Sequence, residues 1–156
     1  MAWSNSKIFS AFVTDALNRT NAFDLNADTP KVSLHNNSIT PDQTAAAAST
    51  AFNAGQWTTT NEVTDASGWP SGGRPLASIT STFASNVYTF DAADTASANS
   101  STTLAGVYGC LVYDDTLASV VVDQGISFHY FGGAQSVTAG TFTVVWNASG
   151  ILAITL

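Results

Sequence analysis

The spacing of apolar residues divides the chain into a helical opening and a strand-rich remainder. Ile8, Phe9, Phe12, Val13, Ala16 and Leu17 recur at helical intervals. This predicts an amphipathic helix over about 5–19, with Ser4 or Asn5 as its N-cap. Asp15 and Arg19 stand four apart, acid first, where they can pair along the helix edge. Lys31–His35 alternates as a short strand does. Thr40-Pro41 reads as an N-cap followed by proline at the first helical position. With the Ala45–Ala48 run and Gly55, it predicts a second, short helix over about 41–54. Trp57–Val63 reads as extended. Ser67-Gly68-Trp69-Pro70-Ser71-Gly72-Gly73 is a loop that no regular element crosses.

Beyond that loop the pattern is all strand. Leu76–Phe83, Asn86–Phe90, Val107–Tyr113, Val120–Phe131 and Thr141–Trp146 are rich in Val, Ile, Thr and aromatics. Phe142, Val144 and Trp146 alternate with Thr141 and Thr143, the signature of a half-buried strand. Asn147-Ala148-Ser149-Gly150 has hairpin turn chemistry and leads into Ile151–Leu156. Ala92–Thr103 is small and polar and reads as an exposed excursion. The expected fold is mainly β, an antiparallel β-sandwich or barrel with an N-terminal amphipathic helix and a short second helix. One domain is expected over 1–156, with helices in the first third (about 1–56) and strands in the remainder (about 57–156).

Composition narrows the class. The chain has 156 residues, 45% hydrophobic and 10% charged, which is enough apolar matter for a core. No apolar run approaches the roughly 18–20 residues of a membrane span. The opening MAWSNSKIFSAF has one lysine and no long apolar stretch, so it is not read as a signal peptide. The net charge is −7, and the only cations, Lys7, Arg19, Lys31 and Arg74, all precede Pro75. Such a surface repels phosphate backbones and anionic headgroups, so neither nucleic acid nor membrane is an expected partner. Attachment to a partner would rest on apolar area and hydrogen bonds, although the acids could meet a basic partner surface. The 24 Ala, 21 Thr and 18 Ser imply that small side chains coat much of the roughly 7,500 Å² expected for this mass.

Candidate chemistry is sparse. Cys110 is the only cysteine and lies in an apolar run, where a buried, inert thiol is expected. His35 and His129 are flanked by strand residues and stand apart from other ligand types, so no zinc site is expected. Asp114-Asp115 reads as a turn cap, since neighbouring carboxylates point apart and cannot face one another across a substrate. Asp91 and Asp94 resemble half of a calcium loop but lack its glycine and terminal glutamate. The glycines match neither a P-loop nor a dinucleotide fingerprint. Asn18, Asn36, Asn99 and Asn147 head N-x-S/T triplets, which a Ser/Thr/Asn-rich chain produces by chance. With no nucleophile–base–orienter set, neither catalysis nor a metal or cofactor is expected. The candidate interface residues are Phe9 and Phe12, if the first helix docks on a partner, and Trp57, Trp69 and Arg74. The alternative makes both tryptophans core and has Arg74 satisfy loop carbonyls.

Several stretches together resemble a known family. They are Gly55-Gln56-Trp57 with Asn61-Glu62-Val63, Gly68–Leu76, Tyr108–Asp114, Phe131-Gly132-Gly133 and Gly140–Ile151. In this order they resemble small virion proteins of tailed bacteriophages, some of them capsid decoration or cement proteins, over about 5–156. The resemblance implies a homotrimer on the outer capsid surface of the virion, bound to the major capsid protein of an HK97-type lattice. It implies no catalytic residue. Two further readings stand beside it: a tail or neck component, and a carbohydrate-binding module with Trp57 or Trp69 as its sugar platform.

Overall fold

The computed structural model describes residues 3–156; Met1 and Ala2 of the expected domain lie outside the described residues. In chain order the elements are β1 (Lys7–Ile8), α1 (Ser10–Asn18), β2 (Pro30–His35), α2 (Ala47–Thr50), β3 (Arg74–Pro75), β4 (Thr80–Ala84) and β5 (Val87–Asp91). Then follow β6 (Thr95–Ala96), β7 (Thr102–Asp114), β8 (Gly125–Gly140), β9 (Thr143–Val144) and β10 (Leu152–Thr155). The fold is mainly β, with 39% strand and 8% helix. Its accessible surface of 7383 Å² is close to the expectation from mass.

A five-stranded antiparallel sheet in the order β1-β8-β7-β2-β3 forms the centre, so the strands do not close into one barrel. The long β7–β8 ribbon is its spine, with Leu111 opposite Phe128 and Val112 opposite Ser127. Both faces of this sheet are covered. On one, Trp57 packs edge-on against Trp3, Phe9 and His35, and lies 6.1 Å from Phe128 between ring centroids. On the other, His129 meets Trp146 at 5.4 Å. Burial on both faces explains why β2 does not alternate as its sequence suggested: Ser33 and His35 are as buried as Val32 and Leu34. Ser33 Oγ lies 2.9 Å from His35 Nε2, which satisfies one ring nitrogen, while Nδ1 is buried without a hydrogen-bond partner among the described residues. Gly109 makes room for Trp3, since a Cβ there would stand 2.6 Å from the indole ring.

A second sheet, β10-β5-β4, and a two-stranded pair, β6-β9, complete the fold. The β4–β5 hairpin turns at Ser85 and Asn86, both at positive φ (50° and 64°), the type I′ geometry that matches strand twist. Loops close mainly through Asx turns rather than charges. Asp24, Asn36, Asp42, Asp65, Asn99, Asp114 and Asn147 each accept the backbone N–H two residues on, at 2.8–3.1 Å. Three of the N-x-S/T asparagines are among them.

Several expected elements are corrected. The first helix begins at Ser10, not near residue 5, because Lys7 and Ile8 pair with Phe128 and Ser127 instead. Phe9, not Ser4 or Asn5, is its N-cap, and no side chain caps it. Asp15 accepts from Gln124 Nε2 at 2.8 Å rather than pairing with Arg19. The second helix shrinks to Ala47–Thr50: Asp42 closes an Asx turn, and the Gln56 amide bonds both backbone groups of Thr40. Residues 57–63 are turns, with a single bridge between His35 and Glu62. Residues 92–103 are not an exposed excursion, because Thr95, Ser97 and Thr102 are buried and β6 pairs with β9. Asn147–Gly150 does turn, with Gly150 N–H donating to Asn147 O at 2.8 Å, but no hairpin follows. β9 pairs with β6 and β10 with β5, so the strands on either side of the turn join different sheets.

Candidate interaction surfaces

The residues with reactive side chains are folded inward. Cys110 is fully buried in β7, and burial pushes its thiol far above the ordinary range. Burial pulls His35 down to about 3, a backbone contact with Asn61 opposing weakly, and pulls His129 down to about 4. His129 Nε2 lies 3.0 Å from Ser127 Oγ, repeating the Ser33–His35 arrangement one strand pair away. Both imidazoles are therefore neutral packing groups. Among the described residues no group of His, Cys, Asp and Glu is arranged to hold a metal ion.

The carboxylates act on backbone. Asp91 and Asp94 accept from Ala92 N–H (2.9 Å) and Trp146 N–H (3.0 Å). Asp65 and Glu62 pin the Gly-rich loop. Asp65 accepts from Ser67 and Gly68 with one oxygen and from Thr103 N–H with the other, which holds it down at about 2. Glu62 takes Ser71 Oγ–H at 2.7 Å and Gly72 N–H at 2.8 Å, while burial raises its pKa against those bonds. Tyr113 O–H donates to Gly72 O at 2.6 Å. Gly73, at φ 80°, passes so close to β2 that a Cβ would strike the Val32 carbonyl. The loop is a fixed part of the sheet edge.

The expected interface residues divide accordingly. Phe9, Phe12, Trp57 and Trp69 are core residues, at most 4% exposed, and offer no surface to a partner. Trp69 packs edge-on against Phe142 at 5.9 Å. Arg74 is half-buried in β3, and its Nε is buried without a hydrogen-bond partner among the described residues, so it does not act by satisfying loop carbonyls through that atom.

The apolar surface lies elsewhere. Among the described residues, Leu17, Phe83, Val120, Val122, Val145 and Leu156 are the large hydrophobics left exposed. Two of them, Leu17 and Leu156, line an open groove of about 450 Å³ between α1, residues 23–26 and the β10-β5-β4 sheet. Its floor is Phe12 against Phe23, 4.9 Å apart and edge-on. Tyr88 and Ile154, cross-strand partners, form the sheet wall, and Tyr88 O–H lies 2.8 Å from Ser81 Oγ. Phe83, opposite Tyr88 in register, extends that face.

A chain of contacts gathers carboxylates at the same end. Asp24 N–H donates to Asp28, and Asp28 lies beside Asp114, whose carboxyl is raised first by burial and then by Asp28. Asp114 N–H donates to Gln124 O, and Gln124 Nε2 reaches Asp15. Asp115 raises Asp123, whose burial is the larger cause, and pairs with Lys31 at 2.7 Å. Comparison with protein-family models, with curated proteins and with solved structures returns no match to this chain.

Sequence reasoning missed Trp3 as a core aromatic and missed the groove altogether. Leu17 carried the available signal: it belongs to the apolar helical stripe yet stands exposed on the rim facing the β10-β5-β4 sheet.

Proposed function

We propose that this chain is a structural protein of a tailed-phage virion, decorating the outer capsid surface as a homotrimer against the major capsid protein of an HK97-type lattice. The observation that carries the reading is the division of side chains. The thiol and His35 are buried, His129 is half-buried under Trp146, the Gly-rich loop is pinned, and much of the exposed matter is small, apolar or acidic. That distribution suits a protein whose work is contact. Clamping neighbouring capsid subunits against internal pressure requires a rigid body and apolar area, and both are present in the β7–β8 spine and the groove.

A tail or neck position would use the same features. The sugar-platform reading loses its residues, because Trp57 and Trp69 are at most 2% exposed. The test is to measure mass in solution and then sediment the protein with expanded, undecorated capsids. The reading expects a trimer and stoichiometric co-sedimentation that persists at 1 M salt when the protein is saturating. A monomer that stays in the supernatant overturns it.

A further inference from the structure

We propose that the groove between α1 and the β10-β5-β4 sheet receives an apolar segment of a protein partner flanked by lysine or arginine. The pocket walls are Ala16, Leu17, Phe23, Tyr88, Ile154 and Leu156, and its volume of about 450 Å³ lies within the range of ligand-binding clefts. Leu17 is 80% exposed on the rim, and no part of the described chain covers it.

Charge selects the occupant. Among the described residues Asp24 is the only charged side chain in the lining. Beyond it stand Asp28, bonded to Asp24 N–H, Asp15 on α1, and Asp115 and Asp123 at the end of the β7–β8 ribbon, while Asp114 beneath them is fully buried and adds no charge to the rim. The C-terminal end of α1, with its partial negative charge, also lies beside Leu17. Against these stand Lys31, already paired with Asp115, and Arg19 at the end of α1. An anionic or neutral apolar segment gains burial only. A segment with basic flanks gains burial and relieves this crowding of carboxylates. A second copy of the chain is disfavoured because it would bring an equally acidic end against this one. The apolar contact should set the lifetime of the complex, and the acid rim its rate of formation and its register.

The test uses the whole chain and no capsid, so its failure is distinguishable from failure of the decoration reading. The probes are two amidated pentapeptides, each with a Leu-Val-Leu centre, one flanked by lysines and the other by glutamates. Amide shifts of the ¹⁵N-labelled protein are followed at 0.1 M and 1 M salt. The expected result is saturable shifts over residues 12–26 and 81–88 with the lysine peptide, and binding about tenfold weaker with the glutamate peptide. Leu17→Ser should weaken binding about fivefold at both salts, since it removes exposed wall without touching the core. Asp24→Asn keeps the acceptor that holds Asn26 N–H and should weaken binding about threefold at 0.1 M, with little effect at 1 M. Equal binding of both peptides would overturn the proposal in favour of a groove indifferent to charge. Absence of saturable shifts at millimolar peptide would overturn it outright. Shifts at these residues that follow protein concentration, with a rise in mass, would assign the groove to a second copy.

Discussion

Acid should destabilise this fold through its two histidines well before its exposed carboxylates titrate. His35 is held down at about 3 and His129 at about 4, both by burial, against 6.5 in an open chain. Below pH 6.5 the unfolded chain takes up a proton at each position that the folded chain refuses. Stability is therefore full above 6.5 and is lost as pH falls toward the folded values. Each histidine contributes a slope of about 0.7 kcal/mol per pH unit at pH 6.5, rising toward about 1.4 near pH 5. Asp114, Glu62 and Asp123 act in the opposite sense, because burial raises them and the folded chain binds their protons first. Their contribution is present at low pH and lost as pH rises, so it offsets part of the histidine slope. The clean measurement is a difference between proteins. Urea unfolding of the wild type, His35→Gln and His129→Gln at half-unit steps from pH 6.5 to 4.5 shares the carboxylate contribution. Each variant should lie flatter than the wild type by about 1.1 kcal/mol per pH unit on average over this range. Glutamine retains an amide that can meet Ser33 or Ser127, which keeps the local polar pair. Parallel wild-type and variant lines across this range would refute the reasoning, since they would mean that the imidazoles titrate alike in folded and unfolded chains.

Thiol reagents should leave Cys110 unmodified in the native protein and label it in denaturant; rapid native labelling would contradict its complete burial. Gly73→Ala should cost more than about 3 kcal/mol in chemical denaturation, because positive φ and the Val32 carbonyl oppose a Cβ together. Val120→Gly should stabilise by about 1 kcal/mol, because an exposed β-branched residue at φ 61° gains more from relief of strain than glycine loses in entropy. Chelator should leave the melting temperature unchanged, and a drop of several degrees would revive a cation role for Asp91 and Asp94.

The strand-rich two-thirds of the chain was legible because β-branched and aromatic runs bounded by turns have few other uses. β5, the 107–113 part of β7 and the buried alternation of Phe142, Val144 and Trp146 follow from that pattern, although β7 starts earlier, at Thr102, and only Thr143–Val144 of the 141–146 stretch pairs as strand. Pairing was not legible. The Asn147–Gly150 turn has hairpin chemistry, and only the tertiary arrangement sends β9 to β6 and β10 to β5. Helix length failed for a related reason. Ile8 fits the helical stripe and Lys7 falls within the expected span, yet an open edge of β8 offered them strand partners, and pairing across the chain outweighs weak helix preference. Around Pro41 the Asp42 side chain captured the backbone first. Trp57 and Trp69 show the limit of reading surface from residue type: tryptophan suits an interface and a core equally, and here the aromatic cluster and Phe142 decide for the core.

The mismatches between pattern and burial mark the surface that matters. Periodicity assigned Leu17 to a helix face meant for the core, and β-propensity placed Val120 and Val122 inside a strand, yet all three stand exposed. The strand β8 starts only at Gly125, because Val120 and Asp123 take positive φ and carry the chain around a tip. Asn21 ties that tip to the segment after α1 by donating to Val121 O at 2.8 Å. The exposed valines line a separate shallow hollow with Ala48, Ala51 and Phe52, next to Asp123. An apolar side chain in water at one position is ordinary. Several of them, with a backbone that accepts strain to present Val120, is the pattern expected where a sequence trades local consistency for contact with something else.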